Sequence, residues 1–256
     1  MLRRAPKRSG SSLDRMTGDA DLAALGSVLG ERARARMLLA LGDGRALPAG
    51  VLASEAGVAA STASEHLGRL VDAGLLSVLP QGRHRYYRLA GPEVAELIEA
   101  LARVAPAAPV RSLREGTRAH AIRSARTCYD HLAGRLGVGV MQALIADGAI
   151  TGGDGVHRFD GDDRLSAQGH DVDYRLTRAG ARKLAALGIE EPQSLPLRYC
   201  VDWTEQAHHL SGPLGRALAT RLLDLGWIRR ADRGRAVHVT DAGAGGLRRE
   251  FRLSVR

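Results

Sequence analysis

Long apolar runs, aromatic residues and cysteines are all scarce in this chain, and each shortage excludes something. No stretch of about 18 consecutive apolar residues occurs, so no membrane span is expected. Aromatic residues make up 4% of the sequence, so the cores must be built from Leu, Ala and Val, which suits small helices packed closely. Two cysteines in 256 residues cannot supply a disulfide framework, and a reduced, cytoplasmic setting fits them best. Met1 to Ser12 carry Arg3, Arg4, Lys7 and Arg8, but no apolar segment follows, so they do not read as a secretory signal. Residues 1–18 read as a disordered basic arm, either touching phosphates or simply solvated.

What is abundant is positive charge. The formal balance is +9, which favours polyanions such as nucleic acid. A length of 256 residues is comfortable for two domains. Asp19 to Leu41 carries apolar residues at helical spacing and is stopped by Gly42-Asp43-Gly44. Pro48 opens a helix that Gly57 ends, and Ala59 to Ala73 forms the next, stopped by Gly74. Leu75 to Leu79 and Arg85 to Leu89 read as strands around a turn at Pro80-Gln81-Gly82-Arg83, and Pro92 to Val104 as a helix. Ala105 to Pro109 reads as a hinge, and Arg111 to about Cys128 as one connecting helix.

Beyond it the chain repeats itself. Arg126-Thr127-Cys128-Tyr129-Asp130-His131-Leu132 is matched by Arg198-Tyr199-Cys200-Val201-Asp202 and, after an insertion, His209-Leu210. Each unit then has an apolar helix ending in Gly, at Gly148 and Gly226, and closes with a strand and a Thr-x-Ala-Gly start, at Thr177 and Thr240. The expected organisation is a winged helix-turn-helix over 19–104, a linker and connecting helix over 105–125, and a duplicated region over 126–256. The repeats span about 126–190 and 198–256, each a degenerate winged-helix-like half. The fold class is mainly α with small β-hairpins, an α+β arrangement.

Residues 48–89 have the layout needed to read a duplex. In the second helix Ala63, Leu67, Leu70 and Val71 face the core, and Ser61, Thr62, Ser64, Glu65 and Arg69 lie opposite. Small hydroxyl side chains let a helix sit deep in the major groove, with its N-terminus favouring phosphate. The hairpin tip, with Gln81, Arg83, His84 and Arg85, is a basic wing suited to backbone or minor-groove contact. His66 fits either a DNA contact or a structural hydrogen bond.

The runs from Ser61 to Leu76 and from Gln81 to Leu89, with their Ser-x-x-Ser-x-His-Leu and Gly-Arg-x-x-x-Tyr elements, resemble the recognition helix and wing of the ArsR/SmtB family of bacterial repressors. The resemblance covers about residues 19–104. It implies a homodimer, assembled by Asp19–Leu29 and Pro92–Val104, that reads an inverted-repeat operator in double-stranded DNA. Family members that sense thiophilic metals use a Cys-x-Cys pair on the helix before the recognition helix. The matching stretch, Val51 to Glu55, has no cysteine, and Glu93, Glu96 and Glu99 of the last helix have no histidine beside them.

Both cysteines fall at one repeated position. Cys128 and His131, at i and i+3, could share an ion on a helical turn, and Cys200, Asp202, His208 and His209 are their counterparts. If the repeats face each other, Cys128, His131, Cys200 and His209 make a Cys2His2 shell for a thiophilic metal, with Asp130 or Asp202 behind it. Buried packing of small thiols, a redox switch, and a capping box at Asp202-Trp203-Thr204-Glu205 are the competing readings. No nucleophile elbow, phosphate loop or His-Glu-x-x-His is visible, so a metal-dependent hydrolase is disfavoured and the chain reads as a non-enzyme. Architectural DNA binding without an effector is the second reading.

Overall fold

The computed structural model describes residues 20–82, 84–106, 109, 112–158, 172–232 and 234–255. The basic arm, the wing-tip Arg83 and part of the hinge lie outside the described residues. Helices α1 (Leu22–Leu29) and α2 (Arg32–Leu41) replace the single apolar run. Gly30 ends the first and the Glu31 carboxylate, accepting from the Arg34 amide, starts the second. Strand β1 (Leu47–Pro48) leads into α3 (Ala49–Ala56), α4 (Ala60–Asp72), β2 (Leu76–Gln81), β3 (His84–Leu89) and α5 (Pro92–Val104).

Gly57 at φ 75° ends α3 in the left-handed region and makes the tight turn before α4. The three strands are antiparallel in the order β1-β3-β2. The wing turn is tighter than expected: Gln81 pairs with His84, so Gln81 and Pro80 belong to β2. Proline is tolerated there because β2 is an edge strand, where a missing N–H costs no ladder bond. Met37, Leu38, Leu41, Leu52, Leu67, Leu70 and Leu89 fill the core of this half.

The connecting helix α6 (Leu113–Ser124) stops before Arg126, short of the expected Cys128. From Ala125 the chain is extended, because its backbone pairs with the far end of the molecule. The Val237 amide donates to the Ala125 carbonyl and the Thr127 amide to that of Arg235, at 2.9 and 3.0 Å. Two further series of elements follow. The first is β4 (Arg126–Cys128), β5 (His131–Ala133), α7 (Gly134–Ala146), β6 (Ile150–Thr151), β7 (Arg175–Leu176) and α8 (Arg178–Ala186). After a short 3-10 turn the second is β8 (Arg198–Val201), β9 (His208–Ser211), α9 (Gly212–Asp224), β10 (Ile228–Arg230), β11 (Val237–Val239) and α10 (Asp241–Phe251).

In each series a helix is followed by a hairpin and a second helix, as α4 is followed by the wing and α5. A β-hairpin stands where the DNA-binding half has its earlier helices. Thr177 and Thr240 cap α8 and α10 alike, each accepting from an amide three residues on, at Gly180 and Gly243, at 3.0 Å. The two series share one core, with Leu136, Met141, Leu144, Leu214, Leu218, Leu222 and Leu247.

Candidate nucleic-acid interface and a buried Cys-His cluster

Helix α4 presents the face expected of a reading helix. Ser61, Thr62, Ser64, Glu65 and Arg69 are exposed, while Ala63, Leu67 and Leu70 are fully buried. Ala59 at the N-cap offers no side-chain acceptor, so the first amides of α4 are open to a phosphate oxygen. The Ser64 hydroxyl donates to the Ala60 carbonyl, and Arg69 pairs with Glu65 at 2.7 Å across one helical turn. Gln81, His84 and Arg85 are exposed on the wing. A groove of 490 Å³ separates the two, with Ser64 and Gly68 on one wall and His84 and Arg85 on the other.

His66 differs from its neighbours on α4. Its ring is half-buried against α2, with Nδ1 3.4 Å from Arg34 and Nε2 3.6 Å from Glu31.

The second constellation is buried. Cys128 and His131 face each other across the β4-β5 hairpin, and Cys200 and His209 face each other across β8-β9. The i, i+3 spacing of the first pair is therefore that of a two-residue β-turn and not of a helical turn, with Tyr129 at φ 58° in the bend. Opposed residues on antiparallel strands point to one face, so each hairpin aims a thiol and an imidazole the same way. The hairpins meet: β5 packs against β9. One ligand atom from each of Cys128, His131, Cys200 and His209 lies within 4.8 Å of the others. The two rings stand 5.2 Å apart. Paired glycines set each helix close on its own hairpin: a Cβ at Gly137 would lie 2.5 Å from the Leu132 carbonyl oxygen and one at Gly215 2.7 Å from that of Leu210, with the Cβ atoms of His209 and His131 next, at 3.6 and 3.2 Å.

Each histidine has a carboxylate behind it. Asp130 Oδ1 is 3.2 Å from His131 Nδ1, and Asp202 Oδ2 is 3.6 Å from His209 Nδ1. Asp202 does not start a helix. Its Oδ1 accepts from the amides of Thr204 and Glu205 within the β8-β9 loop, and its Oδ2 from the Gly134 amide at 2.6 Å. Burial opposes its ionisation, but Arg126 and His209 hold its carboxyl well below the usual range. The hydrogen bond with Cys200, with burial added, pushes the Cys128 thiol up to about 12. Burial favours a neutral His131, while the Cys128 sulfur and the Asp130 carboxylate move its pKa upward. His208 is not part of the cluster; its Nδ1 lies 2.8 Å from the Tyr174 hydroxyl.

A chain of buried ions joins this cluster to α5. Arg126, fully buried, sits 3.0 Å from Asp202 and 4.0 Å from Glu99 of α5, with its guanidinium over the Trp203 ring. Arg235 holds the other oxygen of Glu99. Glu99 was visible in the sequence as a charge inside the apolar stripe of Val94, Ala95 and Ile98. Its partners, far away along the chain, carried no signal. Helix α6 is also docked, with Arg118 2.6 Å from Glu55 of α3.

An exposed polar helix with open amides, set beside a basic hairpin on a helix-turn-helix scaffold, defines a DNA-reading module. A helix-turn-helix domain family model matches residues 29–78. The chain is 40% identical over 228 residues to the uncharacterized HTH-type transcriptional regulator YdfF of Bacillus subtilis (strain 168), covering 87% of this chain and 93% of the relative. Among solved structures it is similar to the homodimeric winged helix-turn-helix DNA-binding domain of Mb0332 from Mycobacterium bovis, a possible ArsR-family transcriptional regulator. That match has 31% identity and a TM-score of 0.30, covering 35% of this chain and 88% of the other. It is also similar to the transcriptional repressor BigR from Xylella fastidiosa, at 26% identity and a TM-score of 0.31, covering 34% and 89%. The chain belongs to the helix-turn-helix transcriptional regulators, and its partner is DNA. Among the described residues no helix is long and apolar enough to cross a membrane.

Proposed function

We propose that the protein is a cytoplasmic repressor of the ArsR type, and not an enzyme, which binds an inverted-repeat operator as a homodimer. Residues 19–104 read the DNA. Residues 126–256, a duplicated pair of winged-helix-like halves, hold an effector site, and residues 105–125 join the two. The observation that carries the reading is the exposed Ser61, Thr62 and Ser64 face of α4 beside His84 and Arg85 of the wing. In this reading Ser61, Thr62, Ser64, Glu65 and Arg69 meet base edges and phosphates, and Gln81, Arg83, His84 and Arg85 meet the backbone.

Homodimerisation is supported by apolar side chains left in water on the helices that flank the reading unit. Leu22 of α1 and Val104 of α5 are 73% and 71% exposed, and Leu39 of α2 and Leu101 of α5 are exposed as well. A two-fold dimer through this surface presents two α4 helices to successive turns of the major groove. Release by an effector is supported by the ion chain from Asp202 through Arg126 to Glu99, because Glu99 stands on a helix of that same surface. An effector acts only through its different affinity for two dimer geometries, and a hundredfold change in operator affinity needs about 2.7 kcal/mol of coupling.

Selection from random-sequence duplexes by the full chain tests the reading. The expected winners are inverted repeats with half-sites about one helical turn apart. Winners with no two-fold symmetry, or no enrichment, contradict it and favour architectural binding.

A further inference from the structure

We propose that Cys128, His131, Cys200 and His209 form a four-coordinate site for one thiophilic divalent cation of the zinc class, held between the two C-terminal repeats. The donor set is the first reason. Two sulfurs and two imidazoles, drawn from two hairpins far apart in sequence, bring one ligand atom each to within 4.8 Å of all the others. A tetrahedral zinc with bonds of about 2.3 Å to sulfur and about 2.0 Å to nitrogen needs ligand–ligand edges of roughly 3.3–3.8 Å. Closing the cluster therefore takes a contraction on the order of 1 Å, within the reach of side-chain rotation.

The orientation of the rings is the second reason. Asp130 Oδ1 stands 3.2 Å from Nδ1 of His131 and leaves its Nε2 for the cluster, while Asp202 lies 3.6 Å from Nδ1 of His209, too far for a hydrogen bond. A carboxylate that fixes the outer nitrogen, and so the tautomer, is the usual support of a metal-bound imidazole. Both Nε2 atoms are buried with no hydrogen bond of good geometry among the described residues. Leaving such groups unsatisfied is costly, and histidines buried only for packing would bear that cost. Coordination satisfies both. Two thiolates balance a divalent cation, and Asp130 and Asp202 are themselves balanced by Arg216 and Arg126.

The third reason is the symmetry of the support. Gly137 and Gly215 occupy matching places on α7 and α9, and each lets its helix sit close on its own hairpin, where a Cβ would meet the Leu132 or Leu210 carbonyl oxygen at 2.5 or 2.7 Å, with His209 or His131 of the other series alongside. An arrangement kept on both halves, with no bulk intruding on either ring, fits one shared centre better than two independent cores. The Cys128 side of the cluster borders a 520 Å³ cavity against α5, which gives a cation a way in. Metal binding here does not depend on how the protein reads DNA.

Cobalt(II) titration of the full-length, reduced protein tests the site. The expected result is one equivalent bound with the intense visible absorption of tetrahedral cobalt and a thiolate-to-cobalt charge-transfer band, both removed by one equivalent of zinc. The chain has only two cysteines, so a two-thiolate spectrum identifies both without any variant. Cys200→Ser should lose half of the charge-transfer intensity. Asp130→Asn, which keeps all four ligands, should bind about 10–100-fold more weakly with an unchanged spectrum. Binding of less than a tenth of an equivalent, an octahedral cobalt spectrum without charge transfer, or an air-purified protein whose two thiols are already joined in a disulfide would each overturn the proposal.

Discussion

The two halves of this protein handle polar side chains in opposite ways. In the winged helix-turn-helix half Ser61, Thr62, Glu65, Arg69 and Arg85 are in water, open to another molecule. In the C-terminal half Arg126, Asp202, His208 and Arg235 are buried, and their partners are other parts of the same chain. An exposed binding face costs the fold little to change and decides what is bound. A buried ionic network is costly to break and decides how parts of the chain sit together.

That contrast is broken most severely at Arg126. Arg126→Ala leaves Asp202 buried without its cation and Glu99 with one fewer, and should cost about 3–5 kcal/mol of stability in urea unfolding. The loss should shrink in acid. Asp202 and Glu99 both have lowered pKa values in the folded state, so what they contribute is full above their ordinary values of 3.8 and 4.5. It disappears as pH falls through the lowered values, and parent and variant should converge there. A variant equal to the parent at neutral pH would mean that the network carries no net stability.

The second expected effect is on binding alone. Thr62→Trp places bulk on the exposed face of α4 and should weaken operator binding at least 100-fold, about 2.7 kcal/mol, with an unchanged unfolding curve. Normal binding by a folded Thr62→Trp would move the reading face elsewhere. Arg85→Ala is expected to be milder. It should weaken binding to all sequences about equally and reduce the salt slope by about 1, read from affinities over a salt series. A changed sequence preference with the same slope would make Arg85 a base reader. The smallest effect is Glu65→Ala. The Glu65–Arg69 pair is solvated, so thermal stability should move by no more than about 0.5 kcal/mol.

How much was legible follows the same division. Helices α3 and α4, the wing and the outward face of α4 were written locally, in helical period, in glycine stops and in a motif with small hydroxyl residues. The buried half was legible only in the matching stretches around Cys128 and Cys200, which brought Cys128, His131, Cys200 and His209 to attention but not their setting. Cys128 and His131 at i and i+3 read equally well as one turn of helix or as the flanks of a tight β-turn. Tertiary pairing of Ala125 and Thr127 with residues 235–237, more than a hundred positions away, decided for the hairpin. Asp202 had the sequence of a helix cap, yet its carboxylate is used by a loop, by Gly134 and by Arg126. Contacts of that range leave no periodicity behind. The neighbours of His66 were not readable, since Glu31 and Arg34 lie on another element.

The most direct measurement is the affinity of the full chain for a selected operator duplex against an unrelated duplex of equal length, at one physiological salt concentration. Sequence reading by α4 predicts a ratio of at least about 10³, as expected for specific over phosphate-driven binding. A ratio near one would mean that the positive charge alone holds the protein on DNA, and would contradict the assignment of α4 as the reading helix.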